Sequence, residues 1–375
     1  MIRLLHVIPT LVRGGAEKQL CLLATRLPKT HFDVRVCVLT HTGPYERWLR
    51  QEGIPIDRIN KRWKVDPWAL MRLRQVMRRF QPDVVHSWIY AANVYGRVAA
   101  LLESVPTIVA GQRCADHWKM THDHLLDRWL ATKSQRIVVN SQSVRDYYVR
   151  KQRVDPAKYR VIHNGIDTES GAGKTSGAAR GALAESIGIP SDAHWIGVVA
   201  RLWPQKRLKD AIWAADLLKV AECNFRVLFF GDGPQRWRLG RYARQVNAAD
   251  RVCFLGDRED VARWLPHLRC SWLTSQYEGQ SNAVMEAMAA GIPVVASDLS
   301  ANRTLITHEQ NGLLFPLGDR GDLARQTYRL LQDEELAARL GHAARETMAR
   351  DFSADQMVDQ YARLYQELVD ETIRP

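Results

Sequence analysis

Two carboxylates and two cations in the second half of the chain have the types and spacing of a site for a phosphorylated sugar. The carboxylates lie in Ser275-Gln276-Tyr277-Glu278-Gly279-Gln280-Ser281-Asn282-Ala283-Val284-Met285-Glu286-Ala287-Met288-Ala289-Ala290-Gly291-Ile292-Pro293. A strand through Trp272–Thr274 leads into the loop that carries Glu278. A helix then opens near Asn282, a good N-cap, and stops at Gly291-Ile292-Pro293. Backbone N–H groups and the positive end of such a helix suit phosphate. Glu278 ahead of the helix and Glu286 one turn into it can face one ligand at different heights, and carboxylates accept hydrogen bonds from sugar hydroxyls. Taken alone, the two glutamates read as solvated charges at a helix start. The cations change that balance. Arg201 ends a strand, and Lys206 follows a proline turn in Arg201-Leu202-Trp203-Pro204-Gln205-Lys206, so both fall at the same sheet edge as Glu278. A guanidinium fork and an ammonium fit a diphosphate and stabilise charge on a departing phosphate without a metal.

The elements that must hold these groups follow from hydrophobic patterning. Short apolar runs alternate with amphipathic stretches, the pattern of parallel strands and crossover helices. The first series is Ile2–Ile8, Val34–Leu39, Ile54–Ile59, Asp83–Trp88, Thr107–Ala110, Arg136–Val139 and Arg160–Ile162, with helices such as Ala16–Leu27 and Val65–Phe80 between. The second is Trp195–Ala200, Arg226–Phe230, Val252–Leu255, Cys270–Thr274 and Val294–Ala296. Two doubly wound α/β domains are expected, 1–165 and 166–353, with a final helix over Ala354–Ile373 packing back on the first. Gly14-Gly15, Gly231-Asp232-Gly233-Pro234 and Gly256-Asp257 each follow a strand and let backbone approach a ligand; Asp232 is assigned no catalytic role. Gly171-Ala172-Gly173-Lys174-Thr175 imitates a phosphate-binding loop, but Thr168 stands where a glycine is needed and no strand precedes it, so it reads as a small-residue linker.

Length and composition bound the rest. The 375 residues, 46% hydrophobic and 25% charged, suit two globular domains and exclude a disordered or fibrous chain. No run is long and apolar enough for a membrane span, and no signal-peptide core is present, which predicts a cytoplasmic protein. Six scattered cysteines without a C-x-x-C pair read as buried thiols. His117, His122 and His124 cluster without a helical H-E-x-x-H, so no metal is expected. The net charge is +12. Residues 1–165 hold 28 Lys+Arg and 13 Asp+Glu (28 − 13 = +15), and the remainder 25 and 28 (25 − 28 = −3). The excess therefore belongs to the first domain.

With these motifs in order, the chain resembles the retaining nucleotide-sugar glycosyltransferases of family 4, which have the GT-B fold of two Rossmann-like domains facing across a cleft. The motifs are Gly14-Gly15-Ala16-Glu17, Asn164-Gly165-Ile166-Asp167, Arg201 with Lys206, Gly231-Asp232-Gly233-Pro234, Phe254-Leu255-Gly256, the Glu278–Glu286 segment and Asn311-Gly312-Leu313-Leu314-Phe315-Pro316. The resemblance implies that the second domain binds the donor and the first the acceptor. It implies that Arg201 and Lys206 hold the donor diphosphate and act as catalytic groups with Glu278, which binds the transferred sugar. Glu286 would bind the ribose, while backbone N–H groups of Gln280, Ser281 and Asn282 would contact sugar or phosphate. Gly14, Gly15 and Gly233 would make room for the donor, and Arg258 would lie near its base. No cofactor or metal is implied.

The chain departs from the family pattern after the Thr107–Ala110 strand, where a histidine is frequent and Gly111-Gln112-Arg113 stands instead. Gln112, Arg113 or His117 are the stand-ins on the acceptor side, and His86 at a strand end is a further candidate whose plainer reading is structural. Thr304 replaces a frequent acidic residue. The basic segment Lys61 to Phe80 reads either as a crossover helix with a solvated basic face or as an interfacial helix with Trp63, Trp68, Leu70, Leu73, Met77 and Phe80 on its apolar side. A basic acceptor domain predicts an anionic or lipid-linked glycan acceptor, or docking on an anionic inner leaflet. A nucleotide-sugar epimerase, a nucleic-acid-binding module and a non-catalytic relative are the rivals; the second rests on the pI alone, and no nucleic-acid partner is expected.

Overall fold

The computed structural model describes residues 1–116, 118–168, 177–222 and 224–373. His117, Cys223 and the Gly171–Thr175 run lie outside the described residues. The chain divides into two compact units, one formed by Met1–Gly165 with the segment from Ala354, the other by Ile166–Ser353.

In the first unit seven parallel strands are ordered β3-β2-β1-β4-β5-β6-β7. They are β1 (Ile2–Thr10), β2 (Phe32–His41), β3 (Ile56–Arg58), β4 (Val84–Trp88), β5 (Thr107–Gln112), β6 (Arg136–Val139) and β7 (Tyr159–Val161). The central strand β1 pairs Leu4 with Val34 on one side and with Val84 on the other. Its residues Leu4 to Ile8 are all fully buried, as a parallel strand covered by helices on both faces requires. The edge strand β3 is half the expected length, because Pro55 just before it has no N–H to give a ladder.

The second unit has six parallel strands ordered β10-β9-β8-β11-β12-β13. They are β8 (His194–Val199), β9 (Phe225–Phe230), β10 (Val252–Gly256), β11 (Cys270–Leu273), β12 (Val294–Ser297) and β13 (Leu313–Phe315). The short β13 was not among the expected strands. In both sheets the order reverses beside the first strand of the unit, β1 or β8, and the carboxyl ends there are where an open α/β sheet binds ligands.

The Val65–Phe80 expectation contracts to a helix over Pro67–Phe80. Asp66 caps it by accepting from Ala69 N at 2.9 Å, and Pro67 supplies a first helical position that needs no N–H. Leu73 and Met77 enter the core between this helix and the sheet, with Leu70 and Phe80 packed against it. It is a crossover helix; four of the six residues expected on an interfacial side are committed to the core.

The final helix, Ala354–Ile373, inserts Tyr361, Leu364, Tyr365 and Leu368 into the first unit's core. It enters past Gly165, where an added Cβ would lie 2.7 Å from Ala354 Cα. The Gln19 side chain bonds both the carbonyl and the N–H of Gly165, each at 2.8 Å.

That helix also meets two buried histidines. His86 Nδ1 lies 2.7 Å from Tyr365 Oη, and Trp88 Nε1 donates to His6 Nδ1 at 3.0 Å. Burial, reinforced by Arg113, holds His6 down to about 3, and burial with the neighbouring His6 and Arg113 holds His86 well below its ordinary value. Both imidazoles are therefore neutral when folded but bind a proton when unfolded as pH falls below about 6.5. Their stabilisation is complete above that pH and is lost progressively below it. The melting temperature is expected to fall between pH 7 and pH 5 in wild type, and to fall less steeply in His86→Leu.

Candidate active site

The loops carrying Lys206 and Glu278 are stitched together by backbone and side chain. The Pro204–Lys206 turn places Gln205 so that its carbonyl accepts from Gln276 N at 2.8 Å and its amide donates to Tyr277 O at 3.0 Å. Thr274 Oγ1 donates to Lys206 O at 2.7 Å, and Ser297 Oγ donates to Ser275 O at 2.7 Å. Three strand-end segments of one sheet edge, after β8, after β11 and at the end of β12, are thus fixed before any ligand arrives. Sequence reasoning missed Gln205, Thr274 and Ser297; their place between strand ends and motif residues was the available signal.

On this frame Lys206 Nζ sits 2.5 Å from Glu278 Oε1. Both side chains are mostly buried, so the pair is stronger than a surface ion pair and its geometry is defined. The helix that follows spans Asn282–Ala289, and its cap is Ser281, not Asn282 as expected. Val284 N donates to the Ser281 hydroxyl at 3.5 Å, while Asn282 already has helical geometry. Gln280 and Ser281 are buried and Glu286 is half-buried. Arg201 differs: it is exposed, has no ion-pair partner among the described residues, and its guanidinium lies 6.0 Å from the Trp203 ring.

The glycines beside Arg201 serve a close approach of two loops. Leu202 N donates to Asp232 O at 2.9 Å and Gln235 N donates to Leu202 O at 3.1 Å. An added Cβ at Gly233 would lie 2.8 Å from Leu202 O, and one at Gly231, where φ is +133°, only 2.1 Å from Ala200 O. Gly231→Ala is expected to lower stability by about 1–3 kcal/mol and to displace Arg201. Urea melting measures the first effect and donor affinity the second.

Arg258 is engaged by its own loop. It forms a two-pronged pair with Asp260 at 2.7 and 2.8 Å and lies 5.1 Å from the Trp264 ring. The Arg258 hydrogen bond, outweighing burial, holds the Asp260 carboxyl down to about 2. In this state Arg258 is a loop fastener.

In the first unit, Gly14 caps the Gly15–Arg26 helix, and an added Cβ at Gly14 would lie 2.2 Å from Glu17 Oε2. The carboxylate of Glu17 thus occupies the helix's positive end, where an anion is favoured.

The acceptor-side candidates separate into two buried networks. Gln112 donates to Asp127 Oδ2 at 3.1 Å. Asp127 also pairs with Arg97 and, at 3.1 Å, with Lys119, which reaches Asp116 at 3.0 Å and Tyr148 Oη at 3.0 Å. Arg113 lies on the other network, 4.2 Å over Trp88, donating to Asn164 Oδ1 at 3.2 Å and to Tyr361 Oη at 3.0 Å. His86 belongs to that network and is fully buried. In this structure its ring is enclosed by Trp88, Tyr361 and Tyr365. Asp127 and Lys119 escaped notice because the cluster is completed by Arg97, 30 positions from Asp127, and Tyr148, 29 positions from Lys119.

A family model for glycosyl transferases group 1 matches residues 180–347, and one for glycosyltransferase family 4 matches residues 13–170. The chain belongs to the family 4 type of GT-B glycosyltransferases. This glycosyltransferase is 26% identical to the UDP-Gal:alpha-D-GlcNAc-diphosphoundecaprenol alpha-1,3-galactosyltransferase of Escherichia coli, across 98% of the chain and 97% of the relative. It is 32% identical to the N-acetyl-alpha-D-glucosaminyl L-malate synthase of Bacillus anthracis, over 50% of the chain and 49% of that enzyme. Its fold matches that of Anabaena Alr3699/HepE in complex with UDP-glucose, with a TM-score of 0.87 and 21% identity over 98% of this chain and all of that one.

Proposed function

We propose that this glycosyltransferase moves a sugar from a nucleotide-diphosphate sugar to a lipid-linked or otherwise anionic glycan acceptor in polysaccharide or glycolipid synthesis. The transfer retains anomeric configuration and uses no metal or resident cofactor. The observation that carries the reading is the Lys206–Glu278 pair on its stitched frame at a sheet edge, with Arg201 on the adjoining loop. The relative in Escherichia coli supports the choice of substrates, since its name pairs a UDP-sugar with a diphosphoundecaprenol-linked one.

In the resting site the Lys206 ammonium neutralises Glu278. A donor diphosphate offers that ammonium a stronger anionic partner, and Arg201, exposed and without a carboxylate, supplies a second cation at no cost in broken pairs. Glu278, released by Lys206, then accepts from a hydroxyl of the transferred sugar, and Glu286 accepts from the ribose. As the bond between the anomeric carbon and the phosphate oxygen breaks, negative charge grows on the diphosphate beside both cations. The acceptor hydroxyl attacks from the same face and gives its proton to the departing phosphate oxygen. The first unit holds the acceptor, and the protein works in the cytoplasm at the inner face of the membrane. An epimerase would need no acceptor, and the family match does not favour it.

A thermal-shift screen against UDP-, GDP- and ADP-sugars tests the donor class. One base class is expected to raise the melting temperature, corresponding to about 2.7 kcal/mol at a hundredfold excess over Kd. No shift with any nucleotide-sugar would defeat the reading.

A further inference from the structure

The positive charge of this chain is concentrated in one unit. The first unit as folded, with the final helix, holds 30 Lys+Arg and 18 Asp+Glu (30 − 18 = +12), and the second holds 23 of each. Between residues 58 and 79 there are eight Lys or Arg and a single acidic residue, Asp66 (8 − 1 = +7), so this short stretch carries over half of the excess.

The same stretch displays apolar side chains that the core does not use. Trp63 is 60% exposed, Val65 77%, Trp68 63% and Met71 56%. They are held out by a braced loop. Asp66 accepts from Arg62 N at 3.0 Å as well as from Ala69 N, its own N–H donates to Tyr95 Oη at 2.6 Å, and Lys61 Nζ bonds the Trp63 carbonyl. A loop fastened at four points and still presenting two indoles to water is built to present them. A second group adjoins it: Trp118, Met120 and Leu125 are also more than half exposed. Trp118 meets Tyr90 edge-on at 5.2 Å, Tyr90 donates to Asp123, and Lys64 helps to hold the Asp123 carboxyl low.

The cations of the helix and of the loop before it differ in their partners. Arg74 and Arg78 are consumed by Glu103, at 2.5 and 2.7 Å. Arg62 and Lys64 are exposed, with no carboxylate paired to them among the described residues. Arg72 is positioned by the carbonyls of Ile59 and Asn60, at 2.7 and 3.2 Å, and by Asp66, whose Oδ2 lies 3.7 Å from its guanidinium. Asn60, Arg62, Trp63, Asp66, Trp68 and Arg72 together line an open cavity of about 330 Å³. Two guanidinium groups beside two indoles match the boundary between headgroups and acyl chains, where indole rings rest and phosphates offer acceptors.

We propose that this face of the first unit docks on an anionic phospholipid bilayer, with Trp63 and Trp68 entering the interface and Arg62, Lys64 and Arg72 meeting lipid phosphates. A second copy of the chain is disfavoured as occupant, because it would bring the same positive charges face to face. The surface differs from an amphipathic helix: the helix packs its apolar side inward, and its amino-terminal loop and first turn do the docking. The proposal stands apart from the donor chemistry, which belongs to the other unit.

The test is co-sedimentation of the full chain with phosphatidylcholine vesicles, with and without phosphatidylglycerol. The protein is expected to bind the phosphatidylglycerol vesicles at low salt, leave them at high salt and ignore phosphatidylcholine alone. Trp63→Ser/Trp68→Ser and Arg62→Gln/Lys64→Gln are each expected to weaken binding at least about tenfold. Both variants should keep the melting temperature and nucleotide-sugar response of wild type, which separates a docking defect from misfolding. Failure of wild type to bind overturns the proposal, as does equal binding by the variants or a dimer that dissociates in them without any vesicle binding. Vesicle binding without a nucleotide-sugar response would leave the docking surface standing and refute the donor reading alone.

Discussion

Replacing Lys206 with alanine is expected to lower kcat for sugar transfer by about 10²–10³-fold, the loss seen when one charge-stabilising group is removed from a reaction that develops an anion. The fold should survive. Lys206 lies in a turn whose backbone is secured by Thr274 and Gln205, and those bonds do not involve its ammonium. The melting temperature should fall by less than the loss of a fully sealed pair would cause, because Glu278 loses its ammonium but keeps a partly exposed place in a loop at the sheet edge. Lys206→Arg should recover part of the rate, since charge returns without the compact geometry of the ammonium. Steady-state kinetics with saturating donor separates the two contributions. If the ammonium acts mainly as the bonds change, kcat falls more than KM rises. Full activity in Lys206→Ala would remove this pair from the mechanism.

The second large effect concerns stability. Asp127→Ala is expected to lower the unfolding free energy by about 3–5 kcal/mol, the cost of leaving buried charge without its partner. Asp127 answers both Arg97 and Lys119, and all three side chains are essentially sealed from water. Burial by itself would raise the Asp127 carboxyl, but Arg97 and Lys119 outweigh it and hold the carboxyl low. A carboxyl depressed in the folded state contributes fully above about pH 4 and loses that contribution as pH falls through the depressed value. The wild-type protein should therefore carry a steeper acid limb in its stability than Asp127→Ala, which keeps only the contributions of the other depressed groups. Urea melting at pH 7 and pH 3.5 gives both numbers, and an unchanged midpoint in the variant would show that the cluster adds nothing.

The parallel α/β architecture was legible because buried parallel strands write themselves as short apolar runs, and twelve such runs lay where strands form. The thirteenth, Leu313–Phe315, is only three residues long, too short for any period to register. Lys206 and Glu278 were legible because each stands next to a strand end, so one sheet edge brings them together across 72 positions in sequence. Side-chain partners without such an anchor were not. The adjacency of Gln112, the last residue of its strand, and Arg113 just past it does not show that one joins Asp127 and the other Asn164 and Tyr361. The segment from Lys61 to Phe80 left two readings open for a related reason. Its moment is amphipathic, but a helix that buries its apolar side against a sheet and one that buries it in a bilayer share that pattern. Only the exposure of Trp63 and Trp68, outside the helical repeat of Leu73 and Met77, separates them.

The central claim is that this chain transfers a sugar from a nucleotide-sugar through the Lys206–Glu278 site. Its most direct test is incubation of the purified protein with the nucleotide-sugar that stabilises it and a diphosphate-lipid-linked sugar acceptor, reading nucleoside diphosphate release, sugar incorporated and the product's anomeric proton coupling. One sugar should be transferred for each nucleoside diphosphate released, with the donor's anomeric configuration kept in wild type and no turnover above background in Glu278→Gln. An inverted product would contradict the same-face attack, and equal turnover in Glu278→Gln would contradict the site itself.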